Sequence, residues 1–294
     1  MDYWLADMFF SRKVRWFILI GLLAILYGHM LVGWAVDLWH DDNYSHGLFI
    51  PFLSGYFFWR RLSALRQAGD MPCTLGLPVM LAALMLFALG NIGGEIFSQR
   101  VSFVVLIYGL ILFLEGREVA AILRFPVGIL FFAIPLPYIL YNAVAFPLKL
   151  VASQLSVLLL ELYGMPVFRE GNIVHLPHAT LEVVDACSGI RSLMTLFTLA
   201  FFLAFLTHRN LFVRLFVVCM TIPVAILTNA LRVALNGILI KYNPAWGEGL
   251  WHEISGWLVF VVSVGLLMAI SSLFTLWKGG AAGKGAGNSN ELSV

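Results

Sequence analysis

Long apolar runs alternate with short polar segments along the whole chain. Within the runs, apolar and polar positions do not alternate with a period of two, which favours helices over the strands of a membrane barrel. The runs are long enough to cross the hydrocarbon layer of a bilayer, where the backbone must satisfy its own hydrogen bonds. We predict an all-α, polytopic membrane helix bundle of about eight spans: Arg15–Val36, Tyr44–Trp59, Gly76–Gly93, Val101–Leu114, Val119–Pro137, Ser188–Leu206, Leu215–Ile240 and His252–Trp277.

Composition supports the same class. The 294 residues are 61% hydrophobic and 12% charged, whereas a soluble domain is about one-quarter charged. The first apolar run is too long for the apolar region of a secretory signal peptide and lacks a small-residue cleavage site, so we expect it to be retained. Residues 1–277 are predicted to form a single membrane domain, and the Gly-rich residues 278–294 a disordered cytoplasmic tail.

Two stretches between the fifth and sixth spans have a different pattern. Tyr138–Tyr163 is apolar on average but is interrupted by polar residues, namely Asn142, Lys149, Ser153, Gln154 and Glu161. We predict that it is an amphipathic helix lying along the outer interface of the membrane. Val167–Val184 combines Gly171-Asn172 with alternating and β-branched residues, which predicts a small extramembrane hairpin or loop.

The positions of Lys and Arg orient the bundle, because short loops rich in these residues stay in the cytoplasm. With both termini cytoplasmic, the basic clusters lie inside and the acidic segment at Asp37, Asp41 and Asp42 lies outside. This orientation requires that residues 138–163 do not cross the membrane. The basic clusters are Arg12 with Lys13 and Arg15, Arg60 with Arg61 and Arg66, Arg117 with Arg124, Arg209 with Arg214, and Lys278 with Lys284.

Three groups of polar residues then lie near the outer ends of predicted spans. The first is the start of the sixth span, where Asp185, Cys187, Ser188 and Arg191 lie within seven residues. A helix N-terminus stabilises a thiolate, and Arg191 either adds positive potential or pairs with Asp185. A single cysteine in a membrane helix is most often inert packing, and Cys219, inside the seventh span, fits that description.

The second group is the pair Asn229 and Arg232, and the third is His252 alone. Asn229 and Arg232 share one helical face and together suit a carbonyl oxygen that becomes negative in a transition state. A charged residue in a span is also explained by a structural salt bridge or by a side chain that reaches the interface. A single His at a span boundary is more often an interface residue than a catalyst. Jointly, a Cys, a His and an Arg at one depth indicate nucleophilic acyl chemistry.

We expect neither a metal nor an organic cofactor. Gly256 stands where a zinc-protease motif that begins at His252 would need its second His. His175 and His178, in the external loop, form only a weak ligand pair, and His46 lies near the outer face without an assigned role. The cysteines form no CxxC motif and no cluster with His.

Four stretches carry a recognisable pattern. They are residues 44–51 with 59–61, residues 170–177, the Ala-Cys-Ser-Gly-Ile-Arg element at 186–191, and the Asn-x-x-Arg element at 229–232 followed by His252. In these stretches the chain resembles the exosortase/archaeosortase family of membrane protein-sorting enzymes.

The resemblance implies a site in which Cys187 is the nucleophile, Arg232 binds the oxyanion or a substrate carboxylate, and His252 is the acid/base. Asp185, Ser188, Arg191 and Asn229 would support them. It also implies that the protein cleaves C-terminal sorting signals of exported proteins, which carry a short motif, often Pro-Glu-Pro in bacteria, then a transmembrane helix and a basic end. By analogy with sortases, the thioester at Cys187 would be transferred to an acceptor nucleophile that the sequence does not name.

The resemblance also implies a cellular location and binding partners. We expect the bacterial inner membrane, an active site at its outer face, and an association with exopolysaccharide production. The partners would be exported substrate proteins and membrane lipid, without nucleic acid.

Three other functions fit parts of the sequence. A transporter would line its path with Asn229 and Arg232, but the chain shows no internal repeat. An intramembrane hydrolase without a transfer step would use the same residues as a transpeptidase. A structural scaffold would leave the cluster from Asp185 to Arg191 without a role.

Overall fold

The structure, a computed structural model, describes residues 12–41, 44–69, 71–177, 179–182, 190–243 and 250–285, with the backbone alone at 12, 13, 182, 190–192, 250, 252, 253 and 276–285. The α-helices are α1 (Arg12–His40), α2 (Ile50–Arg60), α3 (Leu62–Gln67), α4 (Gly76–Ile92), α5 (Ile96–Leu114), α6 (Gly116–Ile129), α7 (Tyr138–Leu162), α8 (Ile190–Thr207), α9 (Leu211–Cys219), α10 (Thr221–Tyr242) and α11 (Leu250–Gly285). The 3-10 helices η1 (Ser45–Phe49) and η2 (Leu130–Ala133) and the strands β1 (Phe168–Glu170), β2 (Ile173–His175) and β3 (Thr180–Glu182) complete the described chain.

The predicted all-α membrane bundle is confirmed. Four of the predicted spans, the first, fourth, seventh and eighth, correspond to helices that are long and apolar enough to cross a membrane. In the described part of the chain, the helices with these properties are Val14–His40, Ile96–Leu114, Tyr138–Leu162, Leu211–Tyr242 and Ile254–Thr275.

The other four predicted spans form shorter or interrupted helices. The third and sixth are the apolar helices Gly76–Ile92 and Leu193–Thr207. The second consists of η1 and α2, and the fifth ends at Ile129 and continues as η2. Pro135 and Pro137 follow η2, and because proline lacks a backbone N–H the α-helix does not continue there.

The chain divides into two compact units, Met1–Pro137 and Tyr138–Val294. In the first unit, α5 is central and packs against α1, α4 and α6. This core also contains a polar contact between helices: the buried hydroxyls of Tyr27 on α1 and Ser102 on α5 lie 3.1 Å apart.

In the second unit, α10 is central and packs against α7, α8 and α11. One apolar cluster joins α8, α10 and α11 through buried side chains: Leu193, Leu196, Ala200, Val224, Ala225 and Leu267. A second cluster joins the end of α7 and the strands to α10: Leu160, Met165, Val174, Val233 and Ala234. All the residues predicted to form the catalytic site belong to this unit.

The predicted hairpin is confirmed, and it has a third strand. β2 pairs antiparallel with both β1 and β3. Gly171, at φ +63°, forms the β1–β2 turn with Asn172, in a backbone conformation that glycine adopts without steric cost. Val174 of β2 is fully buried and packs into the cluster with α7 and α10, which fixes the sheet to the helices.

Helix α7 runs parallel to α10. Leu148 packs against the cluster that contains Val224. Further along, Ser156 Oγ donates to the backbone oxygen of Ala230 at 3.2 Å, and beyond the end of α7 the hydroxyls of Tyr163 and Tyr242 lie 2.8 Å apart.

The direction of α7 corrects the prediction that residues 138–163 lie along the interface. A helix that accompanies α10 along most of its length shares its direction, whereas an interfacial helix would lie across it. The polar residues that suggested an interfacial helix are partly used inside the unit, since Ser153 is buried and donates to the backbone oxygen of Gly171 at 3.1 Å. The structure therefore favours a spanning α7.

Helices α8 and α11 run in the opposite direction to α10. Along α11, Ser255 lies beside Arg232 and Ser263 beside Thr228 of α10. Further on, Ser271 lies 2.8 Å from His208, which directly follows α8. The second unit thus has one end at which α7 and α10 end and α8 and α11 begin, and we name this the site end.

The predicted seventh span is broken into α9 and α10 at Met220. Pro223 follows three residues later, and its missing N–H suits the first turn of a new helix. Cys219 lies at the end of α9, within the candidate span Leu211–Tyr242, and its side chain is exposed and not packed as predicted.

Candidate active site

A stripe of buried polar residues runs along one side of α10. Their spacing keeps them on one face of the helix. In a membrane protein such a stripe faces the bundle interior and marks either internal hydrogen bonding or a functional surface. The members are Thr221, Thr228, Asn229, Arg232 and Asn236.

The deeper part of the stripe is used for structure. The Thr228 hydroxyl lies 2.8 Å from Ser263 Oγ on α11 and 2.8 Å from the backbone oxygen of Val224. Thr221 donates to the backbone oxygen of Val218. These hydroxyls tie helices together or close their own turns, so they need no further partner.

Arg232 is the charged member of the stripe and is only 8% exposed. Its Nε–H donates to Ser255 Oγ on α11 at 3.2 Å. Its guanidinium lies against Gly256, where an added Cβ would come within 3.1 Å of Nη2 and 3.4 Å of Cζ. Because Gly256 has no side chain, the planar guanidinium can lie directly on the surface of α11.

His252 lies on the first turn of α11, three residues before Ser255 and four before Gly256. Residues at these spacings share one helical face. The helix surface that contacts Arg232 is therefore the surface on which His252 stands one turn earlier. The structure thus places the backbone of His252 on the helix that contacts Arg232, and the pairing of the two side chains stays a prediction.

The segment that contains Cys187, Asp185 and Ser188 lies outside the described residues. Cys187 precedes Ile190, where α8 begins, by three positions, and Arg191 belongs to the first turn of α8. Helix α8 packs against both α10 and α11. The chain thus enters the helix bundle at Ile190, between the helices that carry Arg232 and His252. The catalytic roles of all these residues stay predictions.

Asn229 is more deeply buried than Arg232, at 1% exposure. Neither Nδ2 nor Oδ1 has a hydrogen-bond partner among the residues that the structure describes. It precedes Arg232 by three positions on α10, which agrees with the predicted shared face.

The predicted histidine ligands are placed differently. His175 stands in β2, with Nδ1 3.3 Å from Thr180 Oγ1 and Nε2 3.6 Å from Glu170 Oε2, so it contacts its own sheet. His178 lies outside the described residues, and His46 is half-buried in η1 of the first unit. Within the described chain, no group of three His, Cys, Asp or Glu residues is placed to hold a metal ion.

Sequence reasoning missed Ser255 and Gly256 as neighbours of Arg232. A Ser-Gly pair near the start of an apolar helix was the available signal, since small residues let another side chain approach a helix backbone. The sequence also gave no indication of an apolar cavity of about 220 Å³ at the site end. Its lining includes Met165, Pro166, Leu176, Pro177, Gly237 and Lys241.

A family model described as transmembrane exosortase matches residues 38–269. The chain belongs to the transmembrane exosortase family. The match includes Cys187, Arg232 and His252, and it runs through both compact units. No curated protein and no solved structure matches this exosortase. It is a multi-pass membrane protein with several apolar helices.

Proposed function

We propose that this exosortase is a membrane-embedded cysteine transpeptidase that cleaves C-terminal sorting signals of exported proteins. The observation that supports this most is the position of Arg232, a buried guanidinium that lies on α11 one turn beyond His252. A buried cation beside a potential acid/base, at the end of the unit where α8 begins, suits the oxyanion of an acyl transfer. Membership of the exosortase family supports the same chemistry.

In the proposed reaction, the Cys187 thiolate attacks the carbonyl carbon of the scissile peptide bond. Arg232 stabilises the negative oxygen that forms. The C–N bond then breaks, protonated His252 gives its proton to the leaving amine, and an acyl thioester remains on Cys187. The acceptor nucleophile loses a proton to His252 and attacks the thioester, which releases the product and restores the thiolate.

Asp185, Ser188, Arg191 and Asn229 are assigned supporting roles. Arg191, in the first turn of α8, adds positive potential at the helix N-terminus that the thiolate precedes. Arg232 or Arg191 would also suit an acidic group of the substrate near the cleavage site.

We place the site end at the outer face of a bacterial inner membrane, so that α11, which begins there, runs towards the cytoplasm. Charge supports this side, because Arg209 and Arg214 lie between the end of α8 and the start of α10, at the opposite end of the unit. Basic residues concentrate on the cytoplasmic side of short-loop membrane proteins. The proposed partner is an exported protein whose apolar helix lies in the membrane beside the enzyme.

The test is co-expression of this exosortase with a reporter that ends in Pro-Glu-Pro, an apolar helix and a basic end. We expect that Cys187→Ala abolishes processing while the protein still accumulates in the membrane, whereas Cys219→Ser processes like the native enzyme. Continued processing by Cys187→Ala would refute the proposal. The mass of the reporter's new C-terminus separates transfer to an acceptor from hydrolysis.

Arg232→Lys tests the role of the guanidinium. Lysine keeps the positive charge but lacks the planar fork that lies on Gly256. We expect processing to fall about 10²-fold, the usual cost of removing one oxyanion donor, with membrane levels unchanged. Native processing by this variant would remove Arg232 from the reaction.

A transporter is the rival function, and the buried polar stripe on α10 is the observation that favours it. Two of its members, Thr221 and Thr228, already have hydrogen-bond partners within the unit, which argues against a continuous polar path.

A further inference from the structure

We propose that Asn229 binds the main chain of the substrate: its Nδ2–H donates to the C=O, and its Oδ1 accepts from the N–H, of one residue in an extended peptide segment. The inference rests on the proposed function and names how that site holds its substrate. Asn229 is thus assigned to substrate positioning and not to the bond-breaking step.

The side chain of Asn229 has an unusual environment. It is 1% exposed, and in the described part of the chain both its donor and its acceptor lack partners. Buried side-chain amides in native proteins nearly always have hydrogen-bond partners. A group left unpaired in the free protein is best explained by a partner that arrives with the substrate.

The neighbouring polar residues make the contrast clear. Thr228, adjacent on α10, is also buried, at 4% exposure, and hydrogen-bonds to Ser263 and to its own helix. Arg232, on the next turn, has Ser255 as a partner. The helix packing therefore supplies partners on both sides of Asn229 and none for its amide.

The pair of unpartnered atoms identifies the chemistry of the ligand. An oxyanion would satisfy the Nδ2 donor only, and a cation would satisfy the Oδ1 acceptor only. An extended peptide presents the N–H and C=O of one residue on the same side, as in an antiparallel sheet. One primary amide can bond with both, which satisfies donor and acceptor together.

The depth of Asn229 indicates which part of the substrate it binds. It precedes Arg232 by three residues, about 4.5 Å further from the site end along α10. A substrate helix that is unwound near its cleavage site loses its own backbone hydrogen bonds, which is unfavourable in apolar surroundings. Asn229 replaces two of them, so it favours an extended segment on the membrane side of the cleavage site.

The experiment uses the purified full-length enzyme in detergent and a synthetic peptide with Pro-Glu-Pro, an apolar helix of about 20 residues and a basic end. Amide-to-ester replacements remove one backbone N–H at a time on the membrane side of the scissile bond. With the native enzyme, we expect one position at which the replacement lowers kcat/KM about tenfold or more.

Asn229→Leu removes both polar atoms at similar size. We expect it to lower kcat/KM by about 10- to 100-fold, and we expect the sensitive ester peptide to react with it no more slowly than the parent peptide. The matched control is Thr228→Val, which should keep the native sensitivity to the ester because Thr228 bonds within the protein. Such a coupling between one residue and one backbone N–H is not produced by a purely structural role.

An unchanged ester penalty in Asn229→Leu, or native kcat/KM in that variant, overturns the inference. If the Asn229→Leu variant does not accumulate in the membrane, the ester peptides are tested on the native enzyme alone. The absence of any position at which an ester lowers kcat/KM then overturns the inference. Cys187→Ala, assayed in parallel, separates the two proposals. If the substrate is processed without Cys187, the proposed function is wrong. If processing requires Cys187 but is unaffected by the Asn229 substitution, only this inference is wrong.

Discussion

The guanidinium of Arg232 lies on the backbone of Gly256, at a distance that leaves no room for a methyl group without movement. A Cβ at Gly256 would stand 3.1 Å from Nη2. The contact joins α10 to α11 one turn beyond His252. It makes the position of a proposed catalytic cation depend on a residue that has no chemistry of its own.

Gly256→Ala should therefore reduce processing without unfolding the enzyme. The new methyl group requires the guanidinium to move by a few tenths of an ångström. Because a misplacement of 1 Å costs about 10²-fold in rate, we expect a loss of up to about tenfold. Alanine also favours a helix interior over glycine by about 1 kcal/mol, so we expect a thermal midpoint in detergent equal to or above the native one. Processing of the reporter and the thermal midpoint are the two measurements.

Gly265→Ala is the matched control for that prediction. Gly265 lies on the same helix, and an added Cβ would meet no atom within 4 Å. It should gain the same helix propensity and process normally. Equal activity of the two alanine variants would show that the close contact between Arg232 and Gly256 does not affect the reaction.

The spanning direction of α7 predicts that its two ends are reached from opposite sides of the membrane. Ile139 and Glu161 are exposed near the start and the end of the helix, about 33 Å apart along its axis, which matches the thickness of the hydrocarbon layer. In a cysteine-free background, an impermeant maleimide should label Glu161→Cys from one side only and Ile139→Cys from the other. Labelling of both from one side would restore the interfacial helix.

Cys73 should react with thiol reagents at lower pH than an ordinary cysteine. The backbone N–H of Leu75 and then the side chain of Arg117, whose Nε lies 3.3 Å from Sγ, lower the pKa of the Cys73 thiol. A lowered pKa means that the thiolate forms at lower pH, so the labelling rate should rise earlier along a pH series. The measurement is the rate of labelling by a mass-tagged electrophile with Cys187 and Cys219 replaced by Ser.

Arg117→Gln should move the Cys73 profile back towards higher pH, and only partly, because the N–H of Leu75 remains. If the pH profile of Cys73 labelling does not move, the lowered pKa of Cys73 comes from the backbone N–H of Leu75 alone. Labelling experiments aimed at Cys187 therefore need a Cys73→Ser background, since a reactive thiol lies elsewhere in the same chain.

Part of the helix geometry around the candidate site could be predicted from the sequence. The spacing of Asn229 and Arg232 gave their common face, and the structure shows both of them buried, with Arg232 at 8% exposure. Cys187 was selected for its place just before a helix, and that helix begins at Ile190. These features depend on positions close together in the chain, where helix geometry alone sets the relation.

The eight spans show where local patterns failed. Hydropathy found the apolar segments but did not give the break between α9 and α10, or the change from α6 to η2. Both depend on proline, whose effect on a helix is decided by the neighbouring backbone bonds. The polar residues of α7 suggested an interfacial helix because their partners, such as the backbone oxygens of Gly171 and Ala230, come from other elements.

The sequence by itself determined that this exosortase is a helical membrane protein, and it supplied Cys187, Arg232 and His252 as candidates for the reactive groups, because hydropathy and side-chain chemistry are properties of single segments. Only the tertiary structure decided that α7 runs parallel to α10, that Gly256 makes room for Arg232, and that Asn229 is buried without a partner. These facts depend on which helix faces come together. That is set by the packing of residues more than twenty positions apart, which no local pattern encodes.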